Sequence, residues 1–416
     1  MIINRFAPRR RLVLALLVAI GVVIFTSPVG AQARAHASFP TSSTPHTYEY
    51  VFAAQSPSSA LRKYEYVFVD QTVFVYDIGN GHRQVDTIAL PQLQGIRGVA
   101  GSARTHMLFV SFGPDSDAGH GHLLKFDLVA RQVVWDRVYP FGIDSMAISK
   151  DGSRIYMPTG ENSNGGDWKV LGTRDGDVLD TIPGGRGPHN TIVGPSGRWV
   201  YLGPRKDNYL YMASTATNRI VRKVGPLVSG VRPFTVNRRE TIAFTTATGF
   251  LGFQASNLKT GRVLYTVPVK GFPWNPNTFA PSAPSHGVAL SPDGKRLWVL
   301  DAPSSYVHAF DVSRLPASPP RQIANVRLSQ PMVGDESPCS YDCLRDGWLQ
   351  LSRDGHYLYV GDSGDVIDTR TRKIVAGLPA MRNSRKTLEI WWRGGVPVFV
   401  GSRSSVGQVL GSARSG

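Results

Sequence analysis

Along residues 283–312, APSHGVALSPDGKRLWVLDAPSSYVHAFDV, apolar and polar positions alternate, a Ser-Pro-Asp-Gly turn intervenes, and the alternation resumes. Period-two alternation on both sides of Asp-Gly predicts two strands joined by a tight hairpin. The plan recurs in DSMAISKDGSRIYMPTG (144–160), HNTIVGPSGRWVYLGP (189–204) and WLQLSRDGHYLYVGD (348–362). Degenerate copies are RGVAGSARTHMLFVS (97–111), RPFTVNRRETIAFTT (232–246) and KTLEIWWRGGVPVFVG (386–401). Two further strand-like runs follow each of the first six copies, such as YVHAFDV then RQIANVRL, and helical periodicity is nearly absent. Short strands, Gly/Pro/Asp turns and a repeat of roughly 40–60 residues predict an all-β chain, a seven-bladed propeller of four-stranded antiparallel blades.

The last copy lacks outer strands, whereas YEYVFVDQTVFVYDIGNGHRQVDTIAL (64–90) has outer strands and no inner one. Together they predict one composite blade that closes the ring and leaves no free edge. Two segments, YEYVFVDQ and VPVFVGSR, fit the second place of that blade equally well. The propeller is expected over 64–403, after a Ser/Pro/Ala-rich arm (34–63) and before a flexible tail (404–416).

The repeat also indexes function. In a propeller the residue just before each inner strand faces the rim of the central channel. Counting seven residues back from the Asp of Asp-Gly, or its equivalent, gives Arg97, Asp144, His189, Arg232, His286, Gly347 and Lys386. Five of the seven carry or can gain positive charge. Convergent cations suit a carboxylate, phosphate or sulfate, with arginine adding planar two-point recognition. His189 and His286 are the candidate catalytic bases, with Arg97 or Arg232 steadying an oxyanion; Arg97, Asp144, Arg232 and Lys386 are the candidate ligand contacts. The alternative is that these side chains only tie neighbouring blades together.

Two long insertions, KGFPWNPNTFAPSAPS (270–285) and SQPMVGDESPCSYDCLRD (329–346), join outer to inner strands and emerge on the same rim. Their Phe272, Trp274, Phe279 and Tyr341 either cover a ligand or cover blade six. Cys339 and Cys343, the only cysteines, predict a local disulfide in an exported protein rather than a metal or redox site. In GPDSDAGHGH, Asp115, Asp117, His120 and His122 form a weak candidate for a divalent metal. No cofactor is required by any motif, and nucleophile-elbow, phosphate-loop and H-E-x-x-H signatures are absent.

RLWVLDAPSSYVHAFDV and YLYVGDSGDVIDTRTRKIVAGLP resemble the YVTN-type β-propeller repeat of bacterial exported and surface-layer proteins, over roughly 64–401. The resemblance implies the fold but not the chemistry, because 6-phosphogluconolactonase-like enzymes and haem d1-binding domains share such rings. The chain departs from the repeat consensus in blades two and five, where Asp-Gly is missing.

The N-terminus MIINRFAPRRRLVLALLVAIGVVIFTSPVGAQA has a basic start, a short apolar run and Ala31-Gln32-Ala33. It reads as an export signal cleaved after Ala33, the run falling short of the ~20 residues that span a bilayer. The alternative is a retained anchor. The net charge of +16 is spread without a long basic run, so nucleic-acid binding is not expected. The expected protein is an exported monomer, periplasmic, at the cell surface or secreted, without a membrane span after cleavage. It binds an anionic small molecule or acidic polysaccharide; the alternatives are a lactonase-like hydrolase or polysaccharide lyase, and a scaffold for a protein partner.

Overall fold

A computed structural model describes residues 59–401, apart from 276, 278–282 and 342. The chain divides into two compact units, Met1–Ala54 and Gln55–Gly416, and the described residues all belong to the second. The expected export signal, most of the expected arm, Phe279 and the expected C-terminal tail lie outside the described residues.

Seven antiparallel sheets form the seven blades, and the described residues contain no α-helix. The inner strands of blades two to seven are Ile96–Ser102, Ala147–Ile148, Pro188–Val193, Val231–Val236, Val288–Leu290 and Trp348–Leu351. Blade one takes its inner strand, Lys386–Arg393, from the end of the chain and its other three, Arg62–Val69, Thr72–Asp77 and Arg83–Ala89, from the beginning. The competition for its second place is resolved by using both segments. Arg62–Val69 takes the second place, and Val396–Val400 pairs with the opposite edge of Lys386–Arg393 as a fifth, innermost strand.

The turns explain why Ser-x-Asp-Gly marks the repeat. In blades three, six and seven the serine hydroxyl donates to the aspartate (2.6–2.7 Å) and accepts the amide that opens the next strand (2.9–3.0 Å). The glycine supplies the left-handed backbone, φ 77° at Gly152, at no steric cost. Blade five, lacking the motif, substitutes Asn237, whose side-chain oxygen accepts from Thr241 N at 2.8 Å and Ile242 N at 3.1 Å. Glu240 takes the glycine's place at φ 52°. Its carboxylate reaches blade four, accepting from Ser196 N at 2.7 Å and the Tyr201 hydroxyl at 2.9 Å.

Within the strands, period two sorts side chains between two neighbours. In RLWVL of blade six, Trp298 and Leu300 pack towards blade seven, while Leu297 and Val299 pack towards blade five. Both faces of the blade are covered, so the strand reads as a continuous apolar run. Seven buried apolar clusters result, one between each pair of consecutive blades. The core is thus a ring of interfaces rather than a single centre.

Phe253 illustrates the weight of such an interface. It is fully buried between blades five and six and meets Phe310 edge-on at 5.0 Å. Phe253→Ala is expected to cost about 3–5 kcal/mol through lost burial and the cavity left behind. Asp293→Ala, which loosens only a surface turn, is expected to cost about 1 kcal/mol. Denaturant titration of both variants checks the ranking, and equal losses would contradict it.

Candidate functional site

All seven indexed positions lie at or just before the start of an inner strand. Second strands run back to the same rim, so the loops joining second to third strands arrive there too. These loops bring Asp115 from blade two, Glu161 from blade three, Arg205 from blade four and Asp362 from blade seven. The mouth is therefore a set of ion pairs.

Glu161 is the hub. Its Oε2 lies 2.8 Å from Arg205 Nη1, 3.0 Å from Arg232 Nη1 and 3.6 Å from His189 Nδ1. Burial alone pushes its carboxyl up, but His189, Arg232, Arg205 and Arg97 more than reverse this and hold it well below the usual carboxylate range. Asp144 Oδ2 lies 2.9 Å from the same His189 Nδ1. With two carboxylates facing it, Nδ1 carries the proton and donates. The other ring nitrogen, Nε2, is buried and has no hydrogen-bond partner among the described residues.

His286 repeats the arrangement. Its Nδ1 lies 2.9 Å from the Gly347 carbonyl oxygen and 3.1 Å from Asp346 Oδ1, both acceptors. Burial lowers its pKa, with Asp346 opposing. Its ring is tilted by 30° to that of His189, with centroids 6.3 Å apart, and meets Trp348 edge-on. Asp346 is also bound by Arg385 Nη1, and Arg385 Nε lies 3.2 Å from Glu336 and 3.6 Å from Asp362. Burial, with Glu336 nearby, pushes Asp362 well above the usual carboxylate range.

Arg97 and Lys386 stand apart from this pair of imidazoles. Arg97 Nη1 lies 3.3 Å from Asp115 Oδ2, and its guanidinium lies 6.0 Å from the centroid of the Tyr341 ring. Burial raises Asp115, which Arg97 partly offsets. Arg97 and Lys386 line a shallow cleft between blades one and two, together with Arg385, Glu336 and Tyr341. The second insertion forms one wall of this cleft, closed on itself by the Cys339–Cys343 disulfide.

Several sequence candidates lie elsewhere. Trp274 and Phe272 pack on the apolar cluster between blades five and six, and Phe272 meets Tyr306 and His308. The structure also separates the residues of GPDSDAGHGH. Asp115 joins Arg97, Asp117 accepts from Asn164 N at 2.7 Å, and His122 pairs with Asp136 at 3.2 Å. A different trio, Asp144, Glu161 and His189, brings its ligand atoms within 4.8 Å of one another. That spacing fits a divalent ion, but the guanidinium groups of Arg205 and Arg232 already occupy Glu161. The donor set is better matched to proton transfer than to a cation.

The index missed Glu161, Arg205 and Arg385. A signal for the first two was present: antiparallel topology returns every second strand to the rim, so its loop residues should have been counted with the ring.

The described residues thus form a seven-bladed β-propeller whose channel opens onto buried histidine–carboxylate and arginine–carboxylate pairs. No protein-family model matches the chain, and no curated protein matches it significantly. Among solved structures, hydrazine synthase of Kuenenia stuttgartiensis is 16% identical, covers 67% of this chain and 77% of its own, and has a TM-score of 0.46. A functionally unknown protein from Desulfotomaculum acetoxidans is 12% identical, covers 78% of this chain and 98% of its own, and has a TM-score of 0.59. The second similarity is one of fold.

Glu161→Gln removes the buried carboxylate that Arg232 and Arg205 share and is expected to destabilise the protein by about 3–5 kcal/mol at neutral pH. Because the Glu161 carboxyl is depressed on folding, its contribution is present above the ordinary value of 4.5 and lost as pH falls towards the folded value. Thermal unfolding across acid pH should show the variant converging with the wild type. A constant gap at all pH values would contradict this.

Proposed function

We propose that the chain is an exported propeller of the YVTN type that binds an anionic small molecule or acidic saccharide at the channel mouth. The observation that supports this most is the shallow cleft where Arg97, Lys386 and Arg385 meet under Tyr341. Two of its acidic neighbours are already engaged, Asp70 by the amides of Gly95 and Ile96 and Glu336 by Arg385. Arg97 and Arg385 are themselves paired, with Asp115 and with Glu336 and Asp346, so an incoming carboxylate or phosphate gains their two-point recognition by exchanging with one of these carboxylates, while Tyr341 offers an apolar wall for a sugar ring. Export accords with the disulfide, which uses both cysteines. No helix among the described residues is long and apolar enough to cross a membrane.

A second reading is favoured by the Asp144–His189 pair. A carboxylate that orients Nδ1 and leaves Nε2 as the proton acceptor is the arrangement of a general base. With Arg232 near a developing oxyanion, it would suit a lactonase-like hydrolase or a polysaccharide lyase. This reading requires opening of the mouth, since His189 is buried.

A thermal-shift screen with glucuronate, galacturonate, gluconolactone and inorganic phosphate tests both readings. An anion at one hundred times its dissociation constant adds about 2.7 kcal/mol. Lys386→Met and Tyr341→Ala are expected to weaken that binding about tenfold with little change in the unliganded unfolding midpoint. If turnover of a lactone or uronate polymer is found, Asp144→Asn should abolish most of it while retaining binding. No shift with any anion would contradict the binding reading and point to a protein partner on the rim.

A further inference from the structure

Away from the mouth, two glutamates meet where the ring closes. Glu65 on Arg62–Val69 and Glu389 on Lys386–Arg393 are directly paired cross-strand partners, and neither is exposed to solvent. Residues so paired project on the same face of the sheet, where like charges repel. Evolution of a strand seam under packing alone would place apolar residues here, as it does at Tyr66 and Leu388 beside them.

The surroundings solvate the pair sparsely. Glu65 Oε1 accepts from Gln350 Nε2 at 2.9 Å, and Gln350 in turn accepts from the Thr387 hydroxyl at 2.6 Å. Glu65 Oε2 is buried with no hydrogen-bond partner among the described residues. Glu389 accepts from Arg353 N and Trp391 Nε1. The charged and titratable groups facing the pair are Lys63 from blade one, and Arg353, Asp354 and Tyr359 from blade seven, with Tyr357 beside Tyr359. Lys63 binds Asp354 at 3.1 Å, and the Arg353 guanidinium lies over the rings of Trp391 and Phe399. The Tyr359 hydroxyl lies 3.0 Å from His82 Nε2. No cation forms a salt bridge with either glutamate among the described residues.

We propose that Glu65 and Glu389 retain at least one proton between them, making the ring seam a latch that is strongest in acid and loosens as the medium turns alkaline. Burial and the facing Glu389 push Glu65 well above the ordinary value of 4.5. Burial likewise pushes Glu389 up to about 7, against the hydrogen bonds from Trp391 and Arg353. A group raised on folding contributes its full stability below its unfolded value and loses it as pH climbs through the folded one. The latch is therefore fully engaged below about 4.5 and weakens through about 7.

Thermal unfolding of the full chain from about pH 5 to about pH 9, beside Glu65→Gln and Glu389→Gln, tests this. The wild-type midpoint is expected to fall across that range. Each glutamine variant should fall less steeply, its midpoint rising relative to wild type by several degrees from the acid to the alkaline end. Infrared spectroscopy with isotope-labelled glutamate gives a readout that does not depend on the variants folding. It should show a protonated glutamate carboxyl in the wild type at neutral pH, distinct from Asp362. Variants whose pH profile parallels the wild type, or a neutral-pH spectrum without a protonated glutamate, would overturn the proposal.

Discussion

A propeller blade has two apolar faces and no core of its own, so its stability is borrowed from the blades on either side. The whole structure therefore depends on one antiparallel pairing, Arg62–Val69 against Lys386–Arg393, which joins the beginning of the ring to its end. Without it, blade one divides between two distant parts of the chain, and the apolar surfaces of blades two and seven lose their partner. The fifth strand, Val396–Val400, reinforces the same seam: Val400 packs against the blade one–two cluster, and Gly401 N donates to the Glu389 carbonyl at 2.7 Å. It is notable in physical terms that this seam, rather than an ordinary blade contact, contains the opposed glutamates.

Closure also creates the mouth. Once the inner strands are arranged around a channel, their first residues and the loops between second and third strands converge on one rim. Charges brought so close and so deep must be paired, because an isolated buried ion costs several kcal/mol. The structure satisfies this by alternating signs around the rim: Arg97 with Asp115, His189 with Asp144 and Glu161, Glu161 with Arg205 and Arg232, His286 with Asp346. The same pairing fixes ring tautomers and guanidinium orientations, which is the preorganisation that recognition or proton transfer requires. Acid weakens the Glu161 pairs and alkali weakens the seam, so the two buried networks set opposite limits on the pH range of the fold.

The fold was legible because each blade repeats a physical solution that leaves a mark in sequence. Ser-x-Asp-Gly encodes a hydrogen-bonded turn, and RLWVL encodes a strand covered on both faces. The register of that mark also carried the eye to Asp144, His189, Arg232 and His286, which the structure brings into one network. What remained hidden was their compensation. Glu161 and Arg205 lie in loops of irregular length, where no period assigns a direction, and nothing local to PTGENSNGG announces that its glutamate meets Arg205 and His189 of blade four and Arg232 of blade five. Trp274 shows the converse: an aromatic residue in a long insertion was as consistent with a ligand lid as with the apolar seat it takes between blades. The Glu65–Glu389 opposition required the register of two strands more than three hundred residues apart, which alternation alone does not specify.

Taken together, the fold places a small, charge-lined cleft between blades one and two, at the rim end of the strand that closes the ring. The most direct test of that account is a crystal structure of the protein grown with glucuronate. The account predicts the carboxylate seated in the cleft within hydrogen-bonding distance of Arg97, Arg385 or Lys386, with the sugar against Tyr341. A saturating ligand bound anywhere else on the protein, with this cleft filled only by water, would contradict it.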